Sequence, residues 1–275
     1  MKKVQLVHEC MRYAFIYPNS ANLGDDIQTL AALQFMGEDV TFVPRDQLGL
    51  VTDPGKVLLN GWWSHDPASS FPPKIDALPI SMHLCQKFRD EVKDLSWFAT
   101  RKTYARDIDT ANWLRSLGFD AEFIGCLSLT FPVANVERRT KLLFVDTRHA
   151  PSSRCSFMLT HLDPVNLELP YVIRHREARQ LLDLYAQADL VITSRLHCAL
   201  PCVAMGVPVV CITKEDDPRF TGMQRFITIC ADKNLVAAID REKQTRDERE
   251  ANARSCAETM RKVITAWLQE ENAHA

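Results

Sequence analysis

Short apolar runs of strand length alternate with longer amphipathic segments along most of this chain. The apolar runs of the first half lie at 11–17, 39–44, 56–61, 78–84, 96–100 and 121–125. Between them, residues 25–36 and 106–118 repeat their apolar positions at helical spacing, and Gly118 is suited to end the second helix. Strands and helices that take turns predict a mostly parallel sheet covered by helices.

The same alternation starts again after a charged, proline-containing stretch at 131–140, which we interpret as a linker. In this second half we predict strands at 141–147, 189–193 and 207–212, and helices at 176–188 and 195–205. We therefore expect two Rossmann-like, doubly wound α/β domains, residues 1–135 and 136–275, that face each other across a cleft. The charged tail predicts a long C-terminal helix that packs back on a domain. Its apolar face carries Met260, Val263, Ile264 and Trp267.

The composition is that of a soluble globular chain, with 46% hydrophobic and 25% charged residues among 275. The net charge of -2, from 33 basic and 35 acidic side chains, gives no electrostatic footprint for a nucleic acid. No apolar run reaches the roughly 20 residues of a membrane span, and the N-terminus lacks the apolar core of a secretion signal. Nine cysteines without a C-x-x-C pair are typical of reduced thiols. We expect a cytoplasmic protein with no integral membrane segment.

Two ionisable side chains, Arg195 and His197, interrupt the core-like stretch "DLVITSRLHCALPCVAMGVPVVCI" (189–212) where a strand is predicted to end and a helix to begin. Thr193 and Ser194 are good helix N-cap residues, so Arg195 and His197 are expected in the first helical turn. Unpaired N–H groups and the helix dipole make such a terminus an anion site, to which Arg195 adds a two-pronged donor. The alternative is that Arg195 caps a neighbouring carbonyl and that His197 is a satisfied core histidine.

Three segments have the character of motifs: "NSANLGDDIQTLAAL" (19–33), "TRKTYARDIDTANWLRSLGF" (100–119) and "DLVITSRLHCALPCVAMGVPVV" (189–210). The last contains S-R-L-H followed by small and apolar residues and G-x-P, and it closely resembles the signature of the polysaccharide pyruvyl transferase family. The first is similar to the Asn-x-Gly-Asp element of that family, and the second to its element with Arg-Asp and Leu-Gly. The three segments follow the order of the family and span most of residues 19–212.

The resemblance implies a fold, a chemistry and a set of site residues. Members of the family resemble glycosyltransferase-B-like proteins, and they transfer a pyruvyl group from phosphoenolpyruvate to two hydroxyls of a sugar. The products are a cyclic ketal and phosphate, with phosphoenolpyruvate as co-substrate and no further cofactor. By this resemblance Ser194, Arg195 and Leu196 bind the donor. His197 binds it too and, with Arg195, forms the catalytic pair, while Asp25 is the candidate general base or ligand of an acceptor hydroxyl.

A trianionic donor needs more than one positive partner. Further candidates for binding it are Arg106, Arg148 and Arg219. For Arg106 the alternative is structural, because it could pair locally with Asp107 or cap its helix. After G-x-P this chain has "KEDDPRFTGMQRF" (214–226) where many relatives carry a lysine-containing segment, so the resemblance does not extend to Arg219.

Polar and aromatic side chains at two other strand ends are candidates for binding a carbohydrate acceptor. Gly24 permits a tight turn, Asp25 can cap the next helix, and neutral amides beside them suit polyol recognition. An indole can stack on a sugar ring. The candidate acceptor ligands are Asn19, Asn22, Asp25, Trp62, Trp63 and His65. A purely structural turn and core packing of the tryptophans stand as the alternatives.

Other classes of site are weighed against this interpretation. Cys198 and Cys202 lie four residues apart beside His197, but their apolar neighbours favour buried thiols over a metal site, so we predict none. No phosphate-binding loop of the G-x-x-x-x-G-K-[ST] type and no G-x-G-x-x-G element occurs.

The rival functions are a glycosyltransferase that uses a nucleotide sugar and a non-catalytic protein that binds anions or sugars. The sequence specifies neither the acceptor sugar nor the oligomeric state, and a homo-oligomer is compatible with it.

Overall fold

The alternating strands and helices of the first half form a six-stranded parallel sheet. The computed structural model describes residues 11–37, 39–63, 75–148, 156–214 and 217–270. The strands of this sheet are β1 (Met11–Ile16), β2 (Thr41–Pro44), β3 (Gly55–Trp63), β4 (Ile75–Leu84), β5 (Thr103–Ala105) and β6 (Ala121–Phe123). They are parallel and lie in the order β2-β1-β3-β4-β5-β6.

The second half forms its own parallel sheet. Its strands are β7 (Leu142–Val145), β8 (Ser156–Leu159), β9 (Val191–Thr193), β10 (Val209–Ile212) and β11 (Thr228–Cys230). They lie in the order β11-β10-β9-β7-β8 and every pair is parallel. Near-continuous Val, Leu and Ile runs such as Val209–Ile212 suit strands that are covered on both faces. The predicted class, α/β with two doubly wound parallel sheets, is confirmed.

Both sheets arrange their strands in the same way. In each sheet the second strand lies on one side of the first and the third strand lies on the other, so the winding reverses between β1 and β3 and between β7 and β9. Loops diverge at such a point and open a crevice beyond the carboxyl ends of the strands, where ligands bind in folds of this kind. The residues that follow β1 and β7 therefore stand at the two places where a site is expected.

Helices cover both sheets. They are α1 (Leu23–Met36), α2 (Gln86–Glu91), α3 (Ile108–Ser116), α4 (Tyr171–Ala186), α5 (Leu196–Ala204) and α6 (Leu235–Gln269). The prediction of a strand at 96–100 is wrong, because Ser96–Ala99 forms a 3-10 turn that buries Phe98 against Phe119. The strand of this region is β5, which is too short for its periodicity to reveal it.

The long C-terminal helix α6 reaches from the second sheet to the first. Its buried face includes Met260, Ile264 and Trp267, which join the main hydrophobic core. At its end the buried Lys56 of β3 donates from Nζ to the carbonyl of Trp267 at 2.7 Å. The helix thus packs against both sheets, as its apolar face predicted. Within the described residues, no helix has the length and apolar character needed to cross a membrane.

The two sheets are joined by packing of α1 against α4, and by one continuous core with residues from both halves. Within this join Arg174 of α4 donates to Asp26 of α1 through Nη2 at 2.6 Å and Nε at 3.2 Å, and both side chains are buried. The same guanidinium donates to the carbonyl of Tyr17, just after β1, at 2.9 Å. This ion pair therefore ties the end of β1 and the start of α1 to the second half of the chain.

Substitution of Arg174 by Met should strongly destabilise the fold. It leaves the Asp26 carboxylate buried without its partner, a change that costs about 3–5 kcal/mol in comparable buried pairs. The control is Arg176→Met on the same helix, whose ion pair with Glu177 is exposed and should contribute at most about 1 kcal/mol. Urea denaturation at pH 8, where Asp26 is ionised, gives both values. Equal losses in the two variants would contradict this account of the join.

Two neighbouring groups in the join, Asp26 and His175, should have opposite effects on the stability of the fold in acid. Burial raises the pKa of Asp26 to about 6, although the hydrogen bonds and charge of Arg174 act to lower it. The contribution of Asp26 to stability therefore falls as pH rises from about 4 to 6. Burial, with the charges of Arg179 and Arg174, lowers the pKa of His175 to about 4, so its contribution rises with pH from about 4 to 6.5.

Each of these contributions is about 3 kcal/mol at most, so they largely cancel in the intact protein. Removal of the imidazole in His175→Asn should leave the effect of Asp26 uncompensated. We expect the free energy of unfolding of this variant, relative to the parent protein, to fall between pH 4 and 6. Urea denaturation at several pH values measures the difference, and parallel curves for the two proteins would refute it.

Candidate functional site

A cavity of about 620 Å³ lies between the carboxyl ends of the two sheets. Residues after β1 and β5, and residues at the ends of β3 and β4, line one side of it. Residues after β8, β9 and β10 line the other. The predicted site residues that line it are Asn19, Asn22, Asp25, Trp62, Arg106, Ser194, Arg195, Leu196, His197 and Arg219. The structure therefore brings together, in one cleft, most of the side chains that the sequence proposed from distant segments.

A second and larger cavity of about 880 Å³ adjoins the first beyond the segment around Pro218. It opens where β10 and β11 end and is lined by polar groups such as Thr213, Gln224 and Arg241. Of the predicted site residues that the structure describes, none lines it. The chemistry proposed from the sequence therefore belongs to the smaller cavity.

The S-R-L-H segment joins β9 to α5 at the wall of the cleft, but its capping differs from expectation. The N-cap residue of α5 is Arg195, not Thr193 or Ser194. Thr193 Oγ1 accepts a hydrogen bond from the backbone N–H of Arg195 at 2.9 Å, and Ser194 Oγ donates to the carbonyl of Asp146 at 2.6 Å. Because both hydroxyls fix the turn rather than the helix, the first N–H groups of α5 have no side-chain cap.

Arg195 is held in place by Asp146, which follows β7. Arg195 Nε donates to Asp146 Oδ2 at 2.8 Å, and this carboxylate also accepts from Thr160 Oγ1 and the N–H of His161. Burial raises the pKa of Asp146, but these hydrogen bonds and the charge of Arg195 outweigh it, so its pKa lies below the ordinary value. No described residue accepts a hydrogen bond from the terminal nitrogens of Arg195, which leaves its fork available to an anion.

His197 is the second residue of α5 and lines the same cavity. Its Nε2 is buried and has no hydrogen-bond partner among the described residues. Burial, together with the charges of Arg106, His161 and Arg219, lowers its pKa well below the ordinary value. The imidazole is therefore neutral in the empty cleft, and a bound anion that offsets those charges would raise its pKa.

Arg106 supplies a second cation to the cleft. Its side chain is almost fully buried, and no described residue accepts a hydrogen bond from its Nε. The nearest carboxylate, Asp107, lies 3.8 Å from Nε, and burial lowers the pKa of Arg106. A buried guanidinium with so little compensation is unfavourable unless an anion binds to it.

His83 and Asp107 form a buried pair on the first-sheet side of the cleft. His83 Nδ1 lies 2.7 Å from Asp107 Oδ2, and Asp107 Oδ1 caps α3 by accepting from the N–H of Thr110 at 2.9 Å. A bulge after Ile80, with Ser81 at a positive φ of 61°, shifts the register of β4 just before His83. His83 and Asp107 lie on different elements, and nothing in the sequence indicated that they pair.

The turn after β1 is stabilised differently from the prediction. Asn22, not Asp25, is the N-cap residue of α1, and its Oδ1 accepts from the N–H of Gly24 at 3.0 Å. Asp25 lies in the first helical turn, where Oδ2 accepts from Ser20 Oγ at 2.5 Å and Oδ1 from Gln28 Nε2 at 3.1 Å. Ser20, Asn22 and Asp25 line the cavity. Asp25 therefore faces the cleft as a carboxylate that already accepts two hydrogen bonds.

Two predicted ligands do not line the cleft. Trp63 is only 2% exposed and packs in the core against Phe15, with ring centroids 5.4 Å apart, so its proposed role in sugar stacking is withdrawn. Arg148 is exposed and does not line the cavity. His65 lies outside the described residues. Arg219 does reach the cleft, but it is already paired with Asp217 through Nε and Nη2.

Sequence reasoning missed His161. It is fully buried, lines the cavity, contacts Tyr185 through Nε2 and has an Nδ1 without a partner among the described residues. A Cβ at Gly24 would lie 3.1 Å from that Nδ1, so the glycine permits the close approach of the start of α1 to the segment after β8. His161 stands in the poorly patterned stretch after β8, and no motif marks it.

Comparison with known proteins assigns this chain to a family. The family model for polysaccharide pyruvyl transferase matches residues 22–215. The chain belongs to the polysaccharide pyruvyl transferase family. The match extends from Asn22, the N-cap residue of α1, past β10, and it includes Arg106, Arg195 and His197. The resemblance inferred from the three motifs is confirmed, and the family is one of transferases.

Two solved structures are similar to this chain at low sequence identity. A candidate UDP-N-acetylglucosamine 2-epimerase from Listeria monocytogenes is 12% identical, with a TM-score of 0.51 over 95% of this chain and 97% of that chain. An uncharacterised protein from Klebsiella pneumoniae is 13% identical, with a TM-score of 0.45 over 76% of this chain and 85% of that chain. A comparison with curated proteins finds no significant match. The Listeria structure supports the glycosyltransferase-B-like fold alone.

Replacement of Arg106 by Met should separate stability from anion binding in this family member. Removal of a poorly compensated buried charge should leave the free energy of unfolding unchanged or raise it by about 1 kcal/mol or more. The same change should weaken binding of inorganic phosphate about tenfold or more, because a charge-assisted hydrogen bond is lost. Urea denaturation and calorimetric titration measure the two effects. A large loss of stability would show that Arg106 is a structural residue like Arg174.

Proposed function

We propose that this protein transfers a pyruvyl group from phosphoenolpyruvate to two hydroxyls of a sugar or glycan, forms a cyclic ketal and releases phosphate. The observation that carries the proposal is that Arg195, Arg106 and the start of α5 line one cleft together with His197, whose buried Nε2 has no partner among the described residues. Membership of the family supports the same chemistry. Buried free thiols such as Cys126 and Cys211 fit a reducing, cytoplasmic setting.

The donor is a small, dense anion with a carboxylate and a phosphate, which explains the need for two arginines. Arg195 is oriented by Asp146 and presents its terminal nitrogens to the cleft. Arg106 is buried, and the ion-pair partner found for it among the described residues is Asp107 at 3.8 Å. We assign the two ends of the donor to these two guanidinium groups, assisted by the N–H groups at the start of α5. Arg219, already paired with Asp217, is assigned a lesser role.

We propose that His197 supplies the proton that the donor receives. Burial, with the charges of Arg106 and Arg219, lowers the pKa of His197, so the neutral imidazole is favoured before the donor binds. A trianionic donor reverses that electrostatic balance, so His197 becomes protonated when the donor binds. The charged imidazole then protonates C3 of the donor, and the cationic C2 is attacked by a hydroxyl of the acceptor.

The acceptor is assigned to the first-sheet side of the cleft. Asn19, Asn22 and Asp25 present amide and carboxylate groups there, and Trp62 offers an aromatic face. The volume of about 620 Å³ lies within the range of pockets that enclose small molecules. We therefore propose that donor and one sugar ring occupy the cleft together, with the donor on the second-sheet side.

A phosphate-release assay tests this function directly. The protein is incubated with phosphoenolpyruvate and each of a panel of diols, namely methyl β-D-galactoside, methyl β-D-mannoside and methyl N-acetyl-β-D-mannosaminide, and then with nucleotide-linked forms of these sugars. We expect phosphate only when donor and a suitable acceptor are both present, with a ketal methyl signal in the product. Release of a nucleoside diphosphate would support a glycosyltransferase. Binding of either ligand without turnover would support a non-catalytic protein.

His197→Asn should keep donor binding and lose turnover. Asparagine retains a polar side chain but cannot carry the proton, so we expect kcat to fall by about 100-fold or more. The Kd for phosphoenolpyruvate, measured by equilibrium dialysis, should change by less than about fivefold, or about 1 kcal/mol. The matched control is Arg195→Met, which should weaken donor binding. Full activity of His197→Asn would rule out this role for the histidine.

A further inference from the structure

His83 is a second histidine in the cleft, and the mechanism above gives it no role. It stands at the end of β4 on the first-sheet side, whereas His197 comes from the start of α5 on the second-sheet side. Arg106 lies close enough to both rings for its charge to lower the pKa of each. The two histidines therefore line one cleft from different sides.

The orientation of His83 is fixed by Asp107. The Nδ1···Oδ2 distance of 2.7 Å is that of a strong hydrogen bond, and the other oxygen of Asp107 is engaged by the N–H of Thr110. Hydrogen bonds and the charges of His83 and Arg106 hold the pKa of Asp107 below its ordinary value, although burial alone would raise it. An ionised Asp107 requires the proton of a neutral His83 to be on Nδ1.

That tautomer leaves a lone pair on Nε2. Among the described residues no group hydrogen-bonds to Nε2 of His83, and this ring lines the cavity. Burial, aided by the charges of Arg106 and Arg89 and opposed by Asp107, lowers the pKa of His83. Asp217 is the further charged group near this ring. The ring is thus an uncharged proton acceptor at neutral pH, in contact with the space assigned to the acceptor.

Asp25 is less suited to accept a proton. Both of its oxygens already accept hydrogen bonds, from Ser20 and from Gln28. A carboxylate in that state can hold an acceptor hydroxyl in position, but it is a weak base for removing a proton. His83 keeps its free lone pair, and a carboxylate behind the ring stabilises the imidazolium that forms when it takes a proton.

We propose that His83 is the general base that deprotonates the acceptor hydroxyls, with Asp107 as its positioning residue; this inference rests on the proposed pyruvyl transfer. As the first hydroxyl bonds to C2, its proton moves to Nε2 of His83 while His197 protonates C3. The bond from C2 to the phosphate oxygen then breaks, both electrons leave with phosphate, and His83 returns its proton to that oxygen. The second hydroxyl adds to C2 and gives its proton to His83.

These steps balance without any further reactant. The acceptor loses two protons, C3 gains one, and phosphate leaves as the hydrogen phosphate ion with the other. The pair of histidines begins with one proton on His197 and ends with one proton on His83, and exchange with water restores the starting state. A ketal needs two hydroxyl additions, which explains why a single proton donor on the second-sheet side is not sufficient.

Chemical rescue tests the proposal. His83→Ala should lower the rate of phosphate release by about 100-fold to 10,000-fold while the Kd for phosphoenolpyruvate stays within about fivefold. Added imidazole should restore phosphate release in proportion to its concentration, because it can occupy the vacated space and accept the proton. His175→Ala is the matched control: it removes another buried histidine that does not line the cavity, and its activity should not depend on imidazole.

The positioning role of Asp107 has its own measurement. Asp107→Asn should lower kcat and shift the acid limb of the pH profile of kcat/KM, because the carboxylate that fixes the tautomer is gone. Asparagine is itself a good N-cap residue and can still accept from the N–H of Thr110, so the capping of α3 is kept while the carboxylate is lost. An unshifted limb in Asp107→Asn would remove Asp107 from the mechanism.

The outcomes separate this inference from the proposed function. If the parent protein releases phosphate and His83→Ala does so at a similar rate, the base assignment is overturned and the function stands. If His83→Ala is slow but imidazole has no effect, or if donor binding is lost, His83 is structural and the assignment is again overturned. If the parent protein releases no phosphate with any acceptor of the panel, the function fails and the base assignment fails with it.

Discussion

The buried ion pair between Asp26 and Arg174 is the interaction on which the geometry of the cleft depends. Arg174 contacts the carboxylate at the start of α1 and the carbonyl that follows β1, so it fixes the loop of the first sheet against a helix of the second half. A buried pair of this kind is weak evidence for net stability, but it disfavours every arrangement in which either charge lacks its partner. It thereby fixes how the two crevices beyond β1 and β7 face each other.

The protein holds two buried arginines in opposite electrostatic situations. Arg174 donates hydrogen bonds to the Asp26 carboxylate and to two backbone carbonyls, whereas no described residue accepts from the buried Nε of Arg106. The first arrangement makes the join specific, because either charge without its partner would be unfavourable. The second destabilises the empty site and favours an anion that can bind to it. Natural proteins tolerate such local conflicts at functional sites, where the missing partner is the ligand. The same reasoning applies to the buried Nε2 of His197.

The sequence was sufficient to predict the two parallel sheets, the long helices and the S-R-L-H turn, because strong periodicity and a specific motif mark them. It could not distinguish Trp62 from Trp63, since the register shift near Gly61 and the core packing of Trp63 arise from neighbouring strands. It also could not pair His83 with Asp107. These residues lie on different elements, and only the alignment of β4 beside β5 brings the strand end to the cap of α3.

The surroundings of the two cleft histidines suggest an order of events. His197 is near cations, so it holds a proton only after an anionic donor has entered. His83 is hydrogen-bonded to an ionised carboxylate, so it can accept a proton whether or not the donor is present, and the charge it then carries is stabilised by Asp107. Donor binding therefore leads to protonation of His197, the acid, whereas His83, the base, can accept a proton before the donor binds. The cleft becomes competent for both hydroxyl additions only when phosphoenolpyruvate is bound, which favours binding of the donor before reaction of the acceptor.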